Sequence, residues 1–104
     1  MSISVDELGS AVASSVLVTE ASLNVSLSDG RTLTVPLPWF PRLLHATPVE
    51  RQNWRLLGHG ESIHWPDLDE DISVMNLLLG KRSGESQRSL ERWLERRPKL
   101  SQQS

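Results

Sequence analysis

Residues 23–37, LNVSLSDGRTLTVPL, decide how the chain begins to fold. Leu23, Val25 and Leu27 alternate with polar residues, as do Leu33, Val35 and Leu37, so each half reads as a strand with one buried face. The loop between them sets how the halves meet. A two-residue loop, Asp29-Gly30, would pair Val25 with Thr34 and leave the apolar sets on opposite faces. A three-residue loop, Ser28 to Gly30, pairs Val25 with Leu33 and Leu23 with Val35, and all four then face one side. The spacing therefore predicts a type I turn with Gly30 in the left-handed region as a G1 bulge.

The flanks carry further local signals. Upstream, Val16 to Thr19 is β-branched enough for a strand, and Ser4-Val5-Asp6-Glu7 has capping-box form. Downstream, Pro36 and Pro38 end the second strand, and Pro41 leads into a helical turn carrying Leu43 and Leu44. Thr47-Pro48-Val49-Glu50 is the clearest helix start, with an N-cap, proline at N1 and an acid at N3. Trp54 to Leu57 and Ser62 to Trp65 read as strands around a Gly58-His59-Gly60 turn. Ile72 to Leu79 reads as a short helix, with Asp69, Glu70 and Asp71 at its positive end and Gly80 beyond it. The result is an α+β fold: one antiparallel sheet of four to five strands, short helices largely on one face, and a C-terminal helix.

Charge divides the chain. Residues 1–80 hold four arginines against ten acids, a balance of −6, while residues 81–104 hold seven bases against three acids, a balance of +4. The expected organisation is an α+β domain over 1–80, a linker at 81–84, an amphipathic helix at 85–97 and a disordered tail at 98–104. Leu90, Trp93, Leu94 and Arg97 share one face of that helix, and Arg88, Arg92 and Arg96 share another.

Composition excludes several classes. Without cysteine there is neither a disulfide framework nor thiolate chemistry, which suits a reducing cytoplasm. The apolar runs fall well short of the ~20 residues of a bilayer span, and the N-terminus lacks the apolar region of a signal peptide. The expected location is cytoplasmic.

Taken in order, Asp29-Gly30-Arg31 followed after three residues by Val35-Pro36-Leu37, then WFPRLLHAT at 39–47 and IHWPDLDEDISVMNLL at 63–78, resemble the family called domain of unknown function 2442. The motifs lie within residues 23–80. The resemblance implies a small α+β domain of bacteria and phage, often encoded beside a second small protein in a toxin–antitoxin-like layout. Some relatives append a helix-turn-helix domain; here the tail after Gly80 reads as a single helix, shorter than such a domain. The family offers no established catalytic residues to carry over.

The residues themselves offer little chemistry. Asp67-Leu68-Asp69-Glu70-Asp71 begins like a calcium loop, but the sixth position is Ile72 instead of glycine and the twelfth is Leu78 instead of glutamate. His64 beside Asp67 to Asp71 suggests a metal-dependent hydrolase only as a distant alternative. Gly58-His59-Gly60-Glu61-Ser62 is not the G-x-S-x-G elbow of a serine hydrolase, and His45 and His59 stand in no recognisable triad. No catalytic residue, metal or cofactor is assigned.

The expectation is a non-catalytic protein-binding module, antitoxin-like, whose partner is a small protein encoded nearby. A homodimer is a second expectation. The contact residues would be Leu90, Trp93 and Leu94 with Arg88, Arg92 and Arg96, together with Trp39, held outward between two prolines. The other reading docks the apolar face of this helix on the chain's own domain and leaves the arginines solvated, partly paired with Glu85, Glu91 and Glu95. A nucleic-acid-binding regulator using the arginine-rich helix is the alternative, disfavoured by the interspersed glutamates.

Overall fold

A computed structural model of the chain describes residues 11–97. The capping box at Ser4 to Glu7 and the tail at 98–104 lie outside the described residues. Two three-stranded antiparallel sheets are present, where the sequence suggested one larger sheet. The first contains β1 (Ala13–Val18), β2 (Ser22–Leu27) and β3 (Thr32–Pro36) in that order. The second contains β4 (Arg55–Leu57), β5 (Ser62–Trp65) and β6 (Glu70–Ser73). Between them run a 3-10 turn at Leu37–Trp39 and two short helices, α1 (Pro41–Leu44) and α2 (Pro48–Gln52). The prolines explain the division: β3 stops at Pro36, and the chain turns through three proline-bearing elements before β4 begins.

The β2–β3 hairpin has the expected register. Val25 pairs with Leu33 and Leu23 with Val35, the Gly30 N–H donates to the Leu27 carbonyl at 3.1 Å, and Gly30 has φ +95°. The Asp29 carboxylate accepts from both the backbone N–H and the guanidinium of Arg31, bracing the turn. Strand β1 departs from simple alternation. A bulge between Ala13 and Ser15 lets Ala13 and Val16, three residues apart, both point inward.

One core joins the sheets. Leu23, Val25 and Leu27 from β2, Ile63 and Trp65 from β5, and Ile72 from β6 belong to a single buried cluster with Leu37, Phe40 and Leu43. Trp65 is fully buried, and its indole N–H donates to the Arg51 carbonyl at 3.0 Å, so no polar atom is stranded. Helix α2 begins with the expected capping box: the Thr47 hydroxyl accepts from the Glu50 N–H, and the Glu50 carboxylate accepts from the Thr47 N–H.

The segment after β5 differs from its sequence reading. Residues 69–71 do not open a helix. Asp69 sits in a left-handed turn at φ +51°, and Glu70 and Asp71 belong to β6, which pairs Glu70 with Trp65 and Ile72 with Ile63. The helix is displaced to α3 (Val74–Leu78), with the Ser73 hydroxyl as its cap. Helix α4 (Gln87–Arg96) follows residues 81–84, and Ser86 caps it through the Ser89 N–H. No helix among the described residues is long and apolar enough to cross a membrane.

Gly60 holds the junction between the sheets. Its φ is +96°, it is buried, and a Cβ there would run into the Ala13 carbonyl of β1. Gly30 has a similar φ but open space around it. Gly60→Ala should therefore cost about 2 kcal/mol or more, while Gly30→Ala should cost only the backbone strain of about 1 kcal/mol. Denaturant melts of the two variants check this; equal losses would mean that the contact at Gly60 is not tight.

Candidate functional site

The C-terminal helix does not project. Leu90 and Trp93 bury their side chains in the core, and Leu94 packs against it. This corrects their expected role in a partner contact: the apolar face of α4 is covered by the chain itself. The physical reason is the burial of Leu90 and Trp93, and two guanidinium groups pack over the Trp93 ring. The Arg42 guanidinium lies 5.2 Å from the ring centroid and that of Arg97 lies 4.7 Å from it.

Each guanidinium is fixed by a carboxylate. Arg42 donates through Nε and Nη2 to both oxygens of Glu85, with the shortest contact 2.7 Å. Its Nη1 donates to the carbonyls of Leu68 and Asp69 in the β5–β6 turn. Arg97 donates to both oxygens of Glu50, at 2.7 and 3.2 Å. The Arg42 hydrogen bonds hold the Glu85 carboxyl below the usual carboxylate range, helped by the Ser89 hydroxyl. Burial pushes Glu50 up, but hydrogen bonds from Arg97 and Thr47 outweigh it, and its carboxyl also titrates low.

Beside Arg42 opens a cleft of about 400 Å³ between β6, residues 81–85 and the start of α4. Phe40, Ile72 and Leu77 contribute apolar walls, while Asp69, Glu70, Asp71, Lys81, Arg82 and Glu85 contribute charge. Glu70 is the unusual member. Strand alternation puts it on the same side of β6 as buried Ile72, and no described residue donates a hydrogen bond to its carboxylate. Burial pushes its carboxyl up to about 7; nearby Glu85, Asp71 and Asp69 add to the shift, and Arg42 opposes it.

The other candidates are scattered. Arg88, Arg92 and Arg96 are exposed on the outer face of α4, and no described residue forms a salt bridge with them. Glu85, read as a local partner for the helix arginines, pairs instead with Arg42. Trp39 is half-buried, with the Arg82 guanidinium 4.8 Å from its ring centroid, so it is not the freely exposed aromatic expected between prolines. His64 hydrogen-bonds Asp71 across the strands at 2.7 Å, whereas Asp67 accepts from Asn53. Among the described residues no group of three or more histidine, aspartate or glutamate side chains converges as a metal site.

Sequence reasoning missed Arg42, Glu85 and Glu70 as a group. Arg42 and Glu85 are 43 residues apart, and no local pattern links them. Arg97 did carry a signal, since it falls on the apolar face of its helix with Leu90 and Trp93.

Trp93→Ala should destabilise the chain by about 3–5 kcal/mol, the loss expected for a buried tryptophan and too large for an appended helix. A melt within about 0.5 kcal/mol of the parent would mean that α4 is undocked in solution. Glu70 gives a pH test. Its folded pKa is raised, so its contribution to stability is complete below the unfolded value near 4.5 and is lost as pH rises through about 7. Glu70→Gln should therefore gain roughly 1–3 kcal/mol over the parent near pH 8, after discounting for partial solvent access, and little near pH 4. Paired melts at the two pH values measure the difference.

The match to the family described as "Protein of unknown function (DUF2442)" runs over residues 13–83. A crystal structure of a protein of unknown function from Rhodospirillum rubrum is similar, with 26% identity, TM-score 0.63, and coverage of 72% of this chain and 93% of that one. The solution structure of an uncharacterized protein from Chromobacterium violaceum shares the fold, with 23% identity, TM-score 0.60, and coverage of 78% and 74%. No curated protein matches the chain. With β1 through α3 and most of the following linker inside the matched region, the chain belongs to the domain of unknown function 2442 family.

Proposed function

We propose that the chain is a non-catalytic protein-binding module whose partner is a small, acidic protein encoded nearby, in an antitoxin-like pairing. The observation that carries this reading is the outer face of α4. Arg88, Arg92 and Arg96 recur every four residues, are exposed, and have no ion-pair partner among the described residues. The helix is held from beneath by Leu90 and Trp93, so its backbone loses little further freedom on binding and the ordering cost falls on the arginine side chains alone. Exposed Glu91 and Glu95 lie between them and reduce attraction for a phosphate backbone, which favours a protein over nucleic acid.

The test uses surface substitutions, because deleting α4 would open the core. Co-expression with the neighbouring gene product should give a complex that co-purifies with the parent. Replacing Arg88, Arg92 and Arg96 together by serine should weaken it about tenfold or more and leave the melting temperature near the parent's. A complex unaffected by the triple substitution would sink the proposed contact. Absence of a complex, with a nucleic-acid shift that weakens steeply with salt, would replace this reading by the regulator.

A further inference from the structure

The cleft beside α4 holds a carboxylate in an arrangement that its own structure does not complete. Glu70 lies on the inward side of β6, partly withdrawn from water, and among the described residues nothing hydrogen-bonds to it. The nearest strong cation, Arg42, is already engaged by Glu85, by the carbonyls of Leu68 and Asp69, and by the Trp93 ring. Swinging it to Glu70 would leave Glu85 and two carbonyls without their donor. Arg82 is drawn over Trp39, and Lys81, the third cation lining the cleft, is exposed and makes no hydrogen bond or salt bridge to Glu70. A partly desolvated carboxylate thus faces an open cleft whose lining is mostly polar.

We infer that this cleft receives the side chain of an arginine or lysine from a protein partner, its cationic head against Glu70. A guanidinium or ammonium group supplies the donors that Glu70 lacks among the described residues. A volume of about 400 Å³ accommodates such a side chain. An anionic ligand would set a second negative charge beside Glu70, Asp69 and Asp71, the acids that already make the ionised form of Glu70 costly. In taking the cation from a protein, the inference rests on the reading above; the cleft itself does not depend on the arginine stripe.

N-acetyl-arginine amide, titrated into the isotope-labelled chain at constant ionic strength and followed by NMR, tests the cleft directly. The expected result is saturable shifts at the amides of Ile72, Leu77, Ser83 and Ser89, with the Glu70 carboxyl titrating lower when the probe is bound. Glu70→Gln, which keeps the shape and removes the charge, should weaken binding at least about tenfold. Binding should also weaken as the pH is lowered from about 8 to about 6, as Glu70 takes up a proton. Equal shifts from N-acetyl-norleucine amide, unchanged binding by Glu70→Gln, or no saturable shift would overturn the assignment. So would inorganic phosphate producing the same shifts in place of the arginine probe. A chain that fails with the probe but still forms the complex through Arg88, Arg92 and Arg96 loses the cleft and keeps the contact surface. A chain that binds the probe but no neighbouring protein keeps the cleft and loses the proposed pairing.

Discussion

Arg42 ties the first turn of the C-terminal helix to the body of the fold, alongside the burial of Leu90 and Trp93 and the Arg97–Glu50 pair at the other end. Arg42 sits in a four-residue helix whose own hydrogen bonding could not hold much in place, yet it reaches the Glu85 carboxylate, two turn carbonyls and the Trp93 ring. Its planar fork suits this work, since it satisfies a carboxylate bidentately while one face remains free to stack. The pair is largely shielded from water, with side-chain exposures of 14% and 9%, so it is not a surface bridge of negligible strength. Removing either partner would strand the other in a desolvated place. The first turn of α4, the β5–β6 turn and the ring that closes the core are thereby tied to one residue.

The same tie accounts for the cleft. Because Arg42 is committed to Glu85, the neighbouring acid on β6 has a cation close by but no donor among the described residues. Two carboxylates in one small region are therefore pushed in opposite directions: Glu85 titrates low and Glu70 titrates near neutrality. Such divergence arises at functional sites and also in purely structural networks. Here it coincides with an accessible cleft, which makes the local geometry informative about binding.

How much of this was legible in the sequence follows from how local each signal is. The β2–β3 register could be read because the strand repeat of two residues allows only one loop length that gathers Leu23, Val25, Leu33 and Val35 on one side. The Thr47 capping box could be read because both of its hydrogen bonds lie within four residues. The division into two sheets could not, since strand neighbours beyond a hairpin are set by packing, and the proline-led segment between β3 and β4 hid the break. The β1 bulge defeated alternation outright. Residues 70–79 misled because Ile72 and Val74 read equally well as the first turn of a helix; once β6 is recognised, Glu70 falls on the side of Ile72 and its burial follows. The apolar stripe of α4 was visible from the start, but whether it met this chain or another was a question of long-range contacts.

Glu50 completes the capping box of α2 and also receives Arg97 from the far end of the described chain. A short-range motif, able to assemble before most of the molecule is ordered, thus presents a ready anion to the last helix. The end of α4 then has a preformed anchor to find, so that closing the chain onto its core costs less ordering than if both sides of that contact had to be organised together.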